Sequence, residues 1–499
     1  MPLLKKKPDE WKETIASGTY GFVHGVDRQN GKEEVEKINY VEKTLDFIGS
    51  WREMELFHRL RHPYIVNLND VVFNAPKKLP TGSKHRNTSS KKKRDPMFMV
   101  FEKGDGDLEQ LNLPFNELVV CIVHTLLAYE YLHLHNILYR DGKPNNLVWF
   151  DKTKTCKLID FGLCKPTYNG DTSSVNIVVG PYRAPELWMG KKNYNGGVDI
   201  WALGMTWLFC LIRDELVIVE KNDKNETEYE PPQALVSILS TVPHSLTKEQ
   251  LEELKKQYPK LNTRKCVSTT WDKVLSNCAE EYVPFLTEEV VDVLSKMLEF
   301  YPENRWTAGQ LLDHPYFQEF RPIIDKVRAE VHSVPSTLSS SYLIHVQPSP
   351  ERDVMKENIN YFVTGNKYIE MRTIFHAMDI FDRYILYRVK NQEPRPSPKV
   401  SQLRFFVCLY LAYKYFSIRH CCNTIDEVLT VSLTDKEYEE MENFETRLVM
   451  TILNKEIYRP TLFEMYGGNQ KKLEYWLKAY FDVSKIRGIE VSLNGPEEM

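Results

Sequence analysis

The sequence predicts an α+β unit in two parts, followed by an all-α helical bundle. Strand-like segments crowd into the first hundred residues, and from residue 115 onward apolar residues recur at spacings of three and four. A Pro- and Ser-rich stretch from Ser333 to Asp353 then separates this region from a second one that is helical and aromatic. A chain of 499 residues is long for one core and suits two or three domains.

In the first part, Ile15-Ala16-Ser17-Gly18-Thr19-Tyr20-Gly21-Phe22-Val23 reads as strand, turn, strand, with Gly18 and Gly21 letting the backbone approach a phosphate. Glu34-Val35-Glu36-Lys37-Ile38 alternates as a strand, so Val35 and Lys37 share a face opposite the glutamates. Leu45 to Arg61 has helical spacing and is ended by Pro63; within it Glu53 stands where it could pair with Lys37. Residues 77–94 carry eight Lys or Arg and no acid, which reads as a solvated insertion or a site for nuclear targeting or a phosphate-rich partner. The insertion has no aromatic residue for base stacking, so no specific nucleic-acid binding is expected. Met97-Phe98-Met99-Val100-Phe101 resumes as a buried strand.

In the second part, a long buried helix over Phe115 to His135 delivers Tyr139-Arg140-Asp141-Gly142-Lys143-Pro144-Asn145-Asn146, and Asp160-Phe161-Gly162 and Ala184-Pro185-Glu186 follow. Moving a terminal phosphoryl group needs an acceptor for a hydroxyl proton, oxygens for Mg²⁺ and a cation for developing charge. Asp141, Asn146, Asp160 and Lys143 are of those types. D-x-K-x-x-N alone is weak, but the ordered set is specific.

This order, together with the local wording Arg61-His62-Pro63-Tyr64-Ile65-Val66 and Tyr182-Arg183-Ala184-Pro185-Glu186, resembles the protein kinases, and within them the cyclin-dependent branch. The resemblance covers about residues 9–330. It implies a bilobal kinase fold, with a small lobe over 9–104 and a large lobe over 105–330, using ATP and Mg²⁺ to phosphorylate Ser or Thr of a protein substrate. In that reading Asp141 is the catalytic base, Lys143 contacts the γ-phosphate, Lys37 and Glu53 form the phosphate-orienting pair, and Asn146 and Asp160 hold Mg²⁺. Ile15, Gly18, Gly21, Val23 and Val35 would cover the nucleotide beside Lys37, with Phe101 as gatekeeper, Glu102 to Gly104 as hinge and Asp107 at the ribose. Regulation would fall on Thr19 and Tyr20, on Ser174 of the activation loop, and on Arg140, a buried cation awaiting a phosphate. Glu186 should pair with Arg305, and Val178 with Arg183 would shape a preference for Pro after the target residue.

The chain departs from the family at three places. Ala16 replaces the first loop glycine, Gly142 replaces a usual leucine and so removes packing beneath Asp141, and Val179 stands where a Thr hydroxyl is usual. Residues 213–290 are longer than the family core and read as surface helices and an insertion, with a helix over Thr247 to Lys256.

After the linker at 333–353, helical spacing recurs in Ile374 to Ile385, Leu403 to Tyr415 and Tyr438 to Leu453. The wording Phe381-Asp382-Arg383-Tyr384-Ile385, Leu411-Ala412-Tyr413-Lys414-Tyr415 and Tyr458-Arg459-Pro460-Thr461 resembles a single cyclin box, spanning 354–470, with 471–499 as an extension. That resemblance implies an activator fused to its kinase, acting in cis or in trans, an arrangement similar to kinase and cyclin fusions of large DNA viruses. Lys414 and Glu445 would be its kinase-contacting pair, and Trp51 the anchor inserted into it. Two alternatives remain open: a regulatory pseudokinase scaffold, and an active kinase whose helical domain recruits substrate or an external kinase.

Composition narrows the partners. With 65 basic and 69 acidic residues the net charge is −4, which favours neither nucleic acid nor membrane. Nine scattered cysteines suit free thiols in a reducing compartment; Cys421-Cys422 has no further ligand at metal spacing. No apolar run is expected to reach the roughly 20 residues of a membrane span, since Arg404 interrupts Leu403 to Tyr413. The protein is expected to be intracellular, in cytoplasm or nucleus, without a membrane partner.

Overall fold

The computed structural model describes residues 11–18, 21–27, 33–39, 53–54, 56–57, 60–72, 97–166, 180–214, 231–332, 351, 354–355, 358–359, 371–416 and 434–453. Its first layer is a five-stranded antiparallel sheet in the order β1-β2-β3-β5-β4. The strands are β1 (Trp11–Gly18), β2 (Gly21–Asp27), β3 (Glu33–Asn39), β4 (Leu68–Val72) and β5 (Met97–Glu102). Register sets Val23 opposite Lys37 and Lys37 opposite Met99, while Val35 faces Phe101. Because strand side chains alternate, Val23, Val35, Lys37, Met99 and Phe101 occupy one face of the sheet. Glu53, Met54, Leu56 and Phe57 are helical and buried.

Strands β6 (Gly106–Asp107), β8 (Leu147–Phe150) and β9 (Thr155–Leu158) form a small sheet, and β7 (Ile137–Leu138) pairs with β10 (Lys165–Pro166). These sheets lie among helices, which dominate from here on. Helix α1 (Phe115–Leu134) buries Leu118, Ile122, Leu126, Tyr129 and Leu132 in the core. It corrects the expectation about apolar runs: by length and composition α1 could cross a membrane, yet 72% of its apolar stretch is buried inside the lobe. A buried core helix passes the same test as a membrane span.

Helix α2 (Pro185–Trp188) starts on a proline, whose missing N–H costs nothing at a first turn. It is followed by α3 (Gly197–Ile212), buried along most of its length. Helix α4 (Pro231–Thr241) buries one stripe, Ala234, Leu235, Ile238 and Leu239, and leaves Pro231 and Gln233 exposed. Helix α5 (Lys248–Gln257) is nearer a surface element, with Leu254 its buried residue; a capping box between Thr247 and Gln250 starts it. Then come α6 (Trp271–Leu275), α7 (Glu288–Met297), α8 (Ala308–Leu312) and α9 (Arg321–His332).

Beyond residue 350 the described helices are α10 (Met371–Lys390), α11 (Pro398–Phe416) and α12 (Asp435–Arg447), the last running into a π-helical turn, Leu448–Ile452. Arg404, the charge that interrupts an apolar run, lies over the rings of Tyr384 and Phe444, 5.3 and 5.2 Å from their centroids. Glu351, inside the stretch read as linker, is helical, 1% exposed, and 2.8 Å from Arg388. The helical unit therefore begins ahead of Val354. Seven cysteines among the described residues are free and buried; Cys421 and Cys422 lie outside them.

Candidate active site

Three side chains converge where the sheet faces the helical part. Lys37 Nζ stands 2.7 Å from Glu53 Oε1 and 2.9 Å from Asp160 Oδ1. The sequence placed Glu53 as the partner; the structure adds Asp160, bringing sheet, helix and loop to one ammonium. Burial pulls the Lys37 amine down, but Asp160 and Glu53 outweigh it and hold the group well above the usual lysine range. Burial pushes the Glu53 carboxyl up. The surrounding protein also pushes Asp160 up, yet Lys37 and the Gly162 N–H together hold its carboxyl below the usual range. Asp160 has φ of +56°, a left-handed conformation uncommon for a residue with a side chain. The fold imposes it here by burying the next residue, Phe161, whose ring lies 4.6 Å from Phe57 and 5.5 Å from Tyr139.

The second cluster is Asp141, Lys143 and Asn146. Lys143 Nζ is 2.9 Å from Asp141 Oδ2, and the Asn146 amide donates to Asp141 Oδ2 at 2.7 Å and to the Asp141 carbonyl at 2.9 Å. Asp141 is 4% exposed, and burial pushes its carboxyl up to about 6 although Lys143 and Asn146 pull it down. Its Oδ1 is buried with no hydrogen bond among the described residues. An acid of this kind is poised to take a proton near neutral pH.

The loop carrying Asp141 is fixed from below by Asp199, a residue outside the motifs quoted from the sequence. Asp199 on α3 accepts the N–H of Tyr139 at 3.0 Å, the N–H of Arg140 at 2.7 Å, and lies 2.8 Å from His133 Nε2. Nothing in sequence spacing joins positions some sixty residues apart. Arg140 also has positive φ, +66°, and is buried; its guanidinium donates to the Leu163 carbonyl at 2.8 Å and to Tyr194 Oη at 3.3 Å. Both acceptors of the guanidinium are neutral. Tyr139 donates its hydroxyl to the Ile159 carbonyl, tying this loop to the one bearing Asp160.

At the strand-to-helix connection, Phe101 is buried against Phe57, centroids 4.9 Å apart. The Glu102 carboxylate accepts the Asn67 N–H at 2.9 Å and Lys157 Nζ at 2.7 Å. A Cβ on Gly104 would lie 2.2 Å from Val148 Cγ1, so the chain passes β8 too closely for any side chain. The Asp107 carboxylate accepts the N–H of Glu109 and of Gln110, both at 3.0 Å. Arg213, unremarked in the sequence, donates to the carbonyls of Leu108, Glu109 and Leu111 at 2.9 to 3.1 Å and so clamps the segment after Asp107.

Gly18 and Gly21 face each other at the mouth of the β1-β2 hairpin, and Ile15 sits at an irregularity between Thr14 and Ala16. Thr19, Tyr20, Trp51, Ser174, Val178 and Val179 lie outside the described residues, as does the 77–94 insertion. Lys414 is on α11 with its side chain outside the description, and Glu445 on α12 is fully buried. The Gly142 expectation is corrected. No packing is missing beneath Asp141, because Tyr129 and Ala202 fill the space that a side chain at 142 would take. Glu186 and Arg305 form a bidentate pair, at 2.8 and 3.1 Å, with both side chains buried.

Comparison with known proteins agrees with this geometry. The protein kinase domain model matches residues 10–317. "Probable cyclin-dependent kinase 10" of Dictyostelium discoideum is 27% identical over 366 residues, covering 71% of this chain and 88% of its own. "Serine/threonine-protein kinase ppk23" of Schizosaccharomyces pombe is 28% identical, covering 62% and 71%. "Cyclin-dependent kinase B2-2" of Arabidopsis thaliana is 29% identical, covering 62% and 92%. With the domain model spanning more than half of its length, the chain belongs to the protein kinase family, as a serine/threonine kinase related to the cyclin-dependent kinases.

Proposed function

We propose that this chain is a Mg-ATP-dependent kinase of the cyclin-dependent type, acting on Ser or Thr followed by Pro, with its C-terminal helices serving as a cyclin-like activator in cis. The observation that carries the catalytic reading is the meeting of Lys37, Glu53 and Asp160 above a buried Asp141 held by Lys143 and Asn146.

The donor chemistry suits Mg²⁺. Asn146 spends its amide N–H groups on Asp141, which leaves its carbonyl oxygen as an acceptor. Asp160 engages one oxygen with Lys37 and Gly162, and its other oxygen makes no hydrogen bond among the described residues. One carboxylate and one amide oxygen are hard donors of the kind that Mg²⁺ prefers. Mg-ATP, when bound, supplies the electrophilic phosphoryl group. Asp141 orients the substrate hydroxyl and accepts its proton, Lys143 offsets charge on the group in transfer, and Lys37, fixed by Glu53, orients the other phosphates. Val23, Val35 and Phe101 present an apolar wall to the base from the sheet face they share with Lys37. Arg183, its guanidinium 4.3 Å from the Trp188 ring, would with Val178 shape the preference for Pro after the target residue.

The test is phosphate transfer from labelled ATP to a Ser-Pro or Thr-Pro peptide by the purified chain. Transfer is expected with the native sequence and lost in Asp141→Asn. Full transfer by that variant would reject the assignment.

A further inference from the structure

The floor under Asp141 is made by helices, and one of them carries a buried polar group with no hydrogen bond among the described residues. A Cβ on Gly142 would lie 2.8 Å from Ala202 Cβ on α3 and 2.9 Å from Tyr129 Oη on α1. Non-bonded carbon contacts are optimal near 3.5 to 4.0 Å, so neither neighbour leaves room. Gly142 is not among the described residues with positive φ; space, not backbone conformation, demands glycine. Tyr129 is fully buried, and its hydroxyl makes no hydrogen bond among the described residues. Leaving a buried hydroxyl unpaired is destabilising, a cost that a Leu or Phe at this place would avoid. One helical turn on, the same face of α1 presents His133 to Asp199, which holds the N–H groups of Tyr139 and Arg140. Helices α1 and α3 thus support the loop on both sides of Asp141.

We propose that Tyr129 is a positioning residue for phosphoryl transfer: its phenol supplies beneath Gly142 the volume that the loop lacks, and so fixes the height of Asp141 in the cleft. This rests on Asp141 acting as the base. The coupling is one of volume. Without the phenol the loop sinks into the void, and with a side chain added at 142 the loop is lifted off α1. Either displacement moves the Asp141 carboxylate relative to the substrate hydroxyl, and a misplacement of about 1 Å can cost on the order of a hundredfold in rate. Lys37, Val35 and Phe101 belong to the sheet, so their side of the nucleotide site does not move with the loop.

The experiment measures kcat and KM for ATP in the full chain and in Tyr129→Leu, Gly142→Leu and the double exchange, with Tm as a check of folding and Asp141→Asn as a separate control. Each single variant is expected to lose about tenfold or more in kcat with KM for ATP within about twofold. The double exchange, which moves volume from helix to loop, is expected to return kcat to within about threefold of the native value. Tyr129→Phe, which keeps the ring but not the oxygen nearest Gly142, is expected to lose less kcat than Tyr129→Leu and to fold even where that variant does not. An unchanged kcat in Tyr129→Leu overturns the proposal. So does a double exchange no better than the worse single, or a loss in Tyr129→Phe as large as that in Tyr129→Leu. Retained activity in Asp141→Asn would reject the base assignment instead, whatever the Tyr129 variants do.

Discussion

At Asp141 a single buried carboxyl links rate to stability. Burial raises it to about 6, against the pull of Lys143 and Asn146, and the ionised form is the one that accepts a proton. We expect kcat/KM to fall as pH drops through about 6, with a slope of one proton. Lys143→Met removes the leading downward influence on the carboxyl, so its residual activity should show the acid limb at higher pH; a profile flat to pH 5 in the native chain would contradict this. The sign for stability is opposite to that of a salt-bridged carboxylate. The folded value lies above the ordinary 3.8, so this group's contribution is fully present below the unfolded value and is lost as pH rises through about 6. Asp141→Asn should therefore have a Tm at pH 7.5 at least equal to the native one, with the gap closing at pH 4. Differential scanning calorimetry at the two pH values decides it.

The pair that joins α2 to the turn before α8 shows an element held by charge. Arg305 donates to both oxygens of Glu186 and also to the carbonyls of Glu299, Phe300 and Gly197. Removing one partner of such a buried pair typically costs about 3–5 kcal/mol, because the other charge stays buried unpaired. Glu186→Gln is expected to lower Tm by on the order of 10 °C and to reduce kcat by loosening the segment that begins at Gly180. A Tm within about 2 °C of native would show that the segment is held by packing instead. This pair was legible in the sequence because each half sits in a short motif whose wording names its partner. Strand β3 was legible from alternation, and α1 and α10 from apolar spacing. The Asp199 bonds, the Arg213 clamp and the Tyr129 floor were not. Each depends on which faces of distant helices meet, and an apolar helix such as α1 reads the same whether its tyrosine lines a core or supports a catalytic loop.

Over the whole molecule the question is what keeps the Lys37 and Glu53 pair closed. It is formed in the full chain, at 2.7 Å, with Met54, Leu56 and Phe57 of the same helix buried. If the C-terminal helices hold that helix inward, residues 1–333 alone should lose most of their kcat, and full turnover by that fragment would reject cis activation. Trp51 offers a finer test, because a tether changes what a hot spot is worth. If activation is in cis, a flexible coil of roughly 20 residues would span about 25 Å and would keep the second domain at an effective concentration in the mM range. Losing an aromatic anchor costs about 2 kcal/mol or more, some thirtyfold in affinity. For an intrinsic affinity near 1 μM, a thirtyfold loss still leaves the tethered domain more than about 90% engaged, since the local concentration exceeds the weakened constant by about thirtyfold. Trp51→Ala is therefore expected to change the full chain's activity by less than about twofold. The same substitution in residues 1–333 should abolish rescue by a separately added 351–499 segment at micromolar concentration. Titrating that segment into both fragments and comparing half-activating concentrations measures the difference, and equal values would remove Trp51 from the interface.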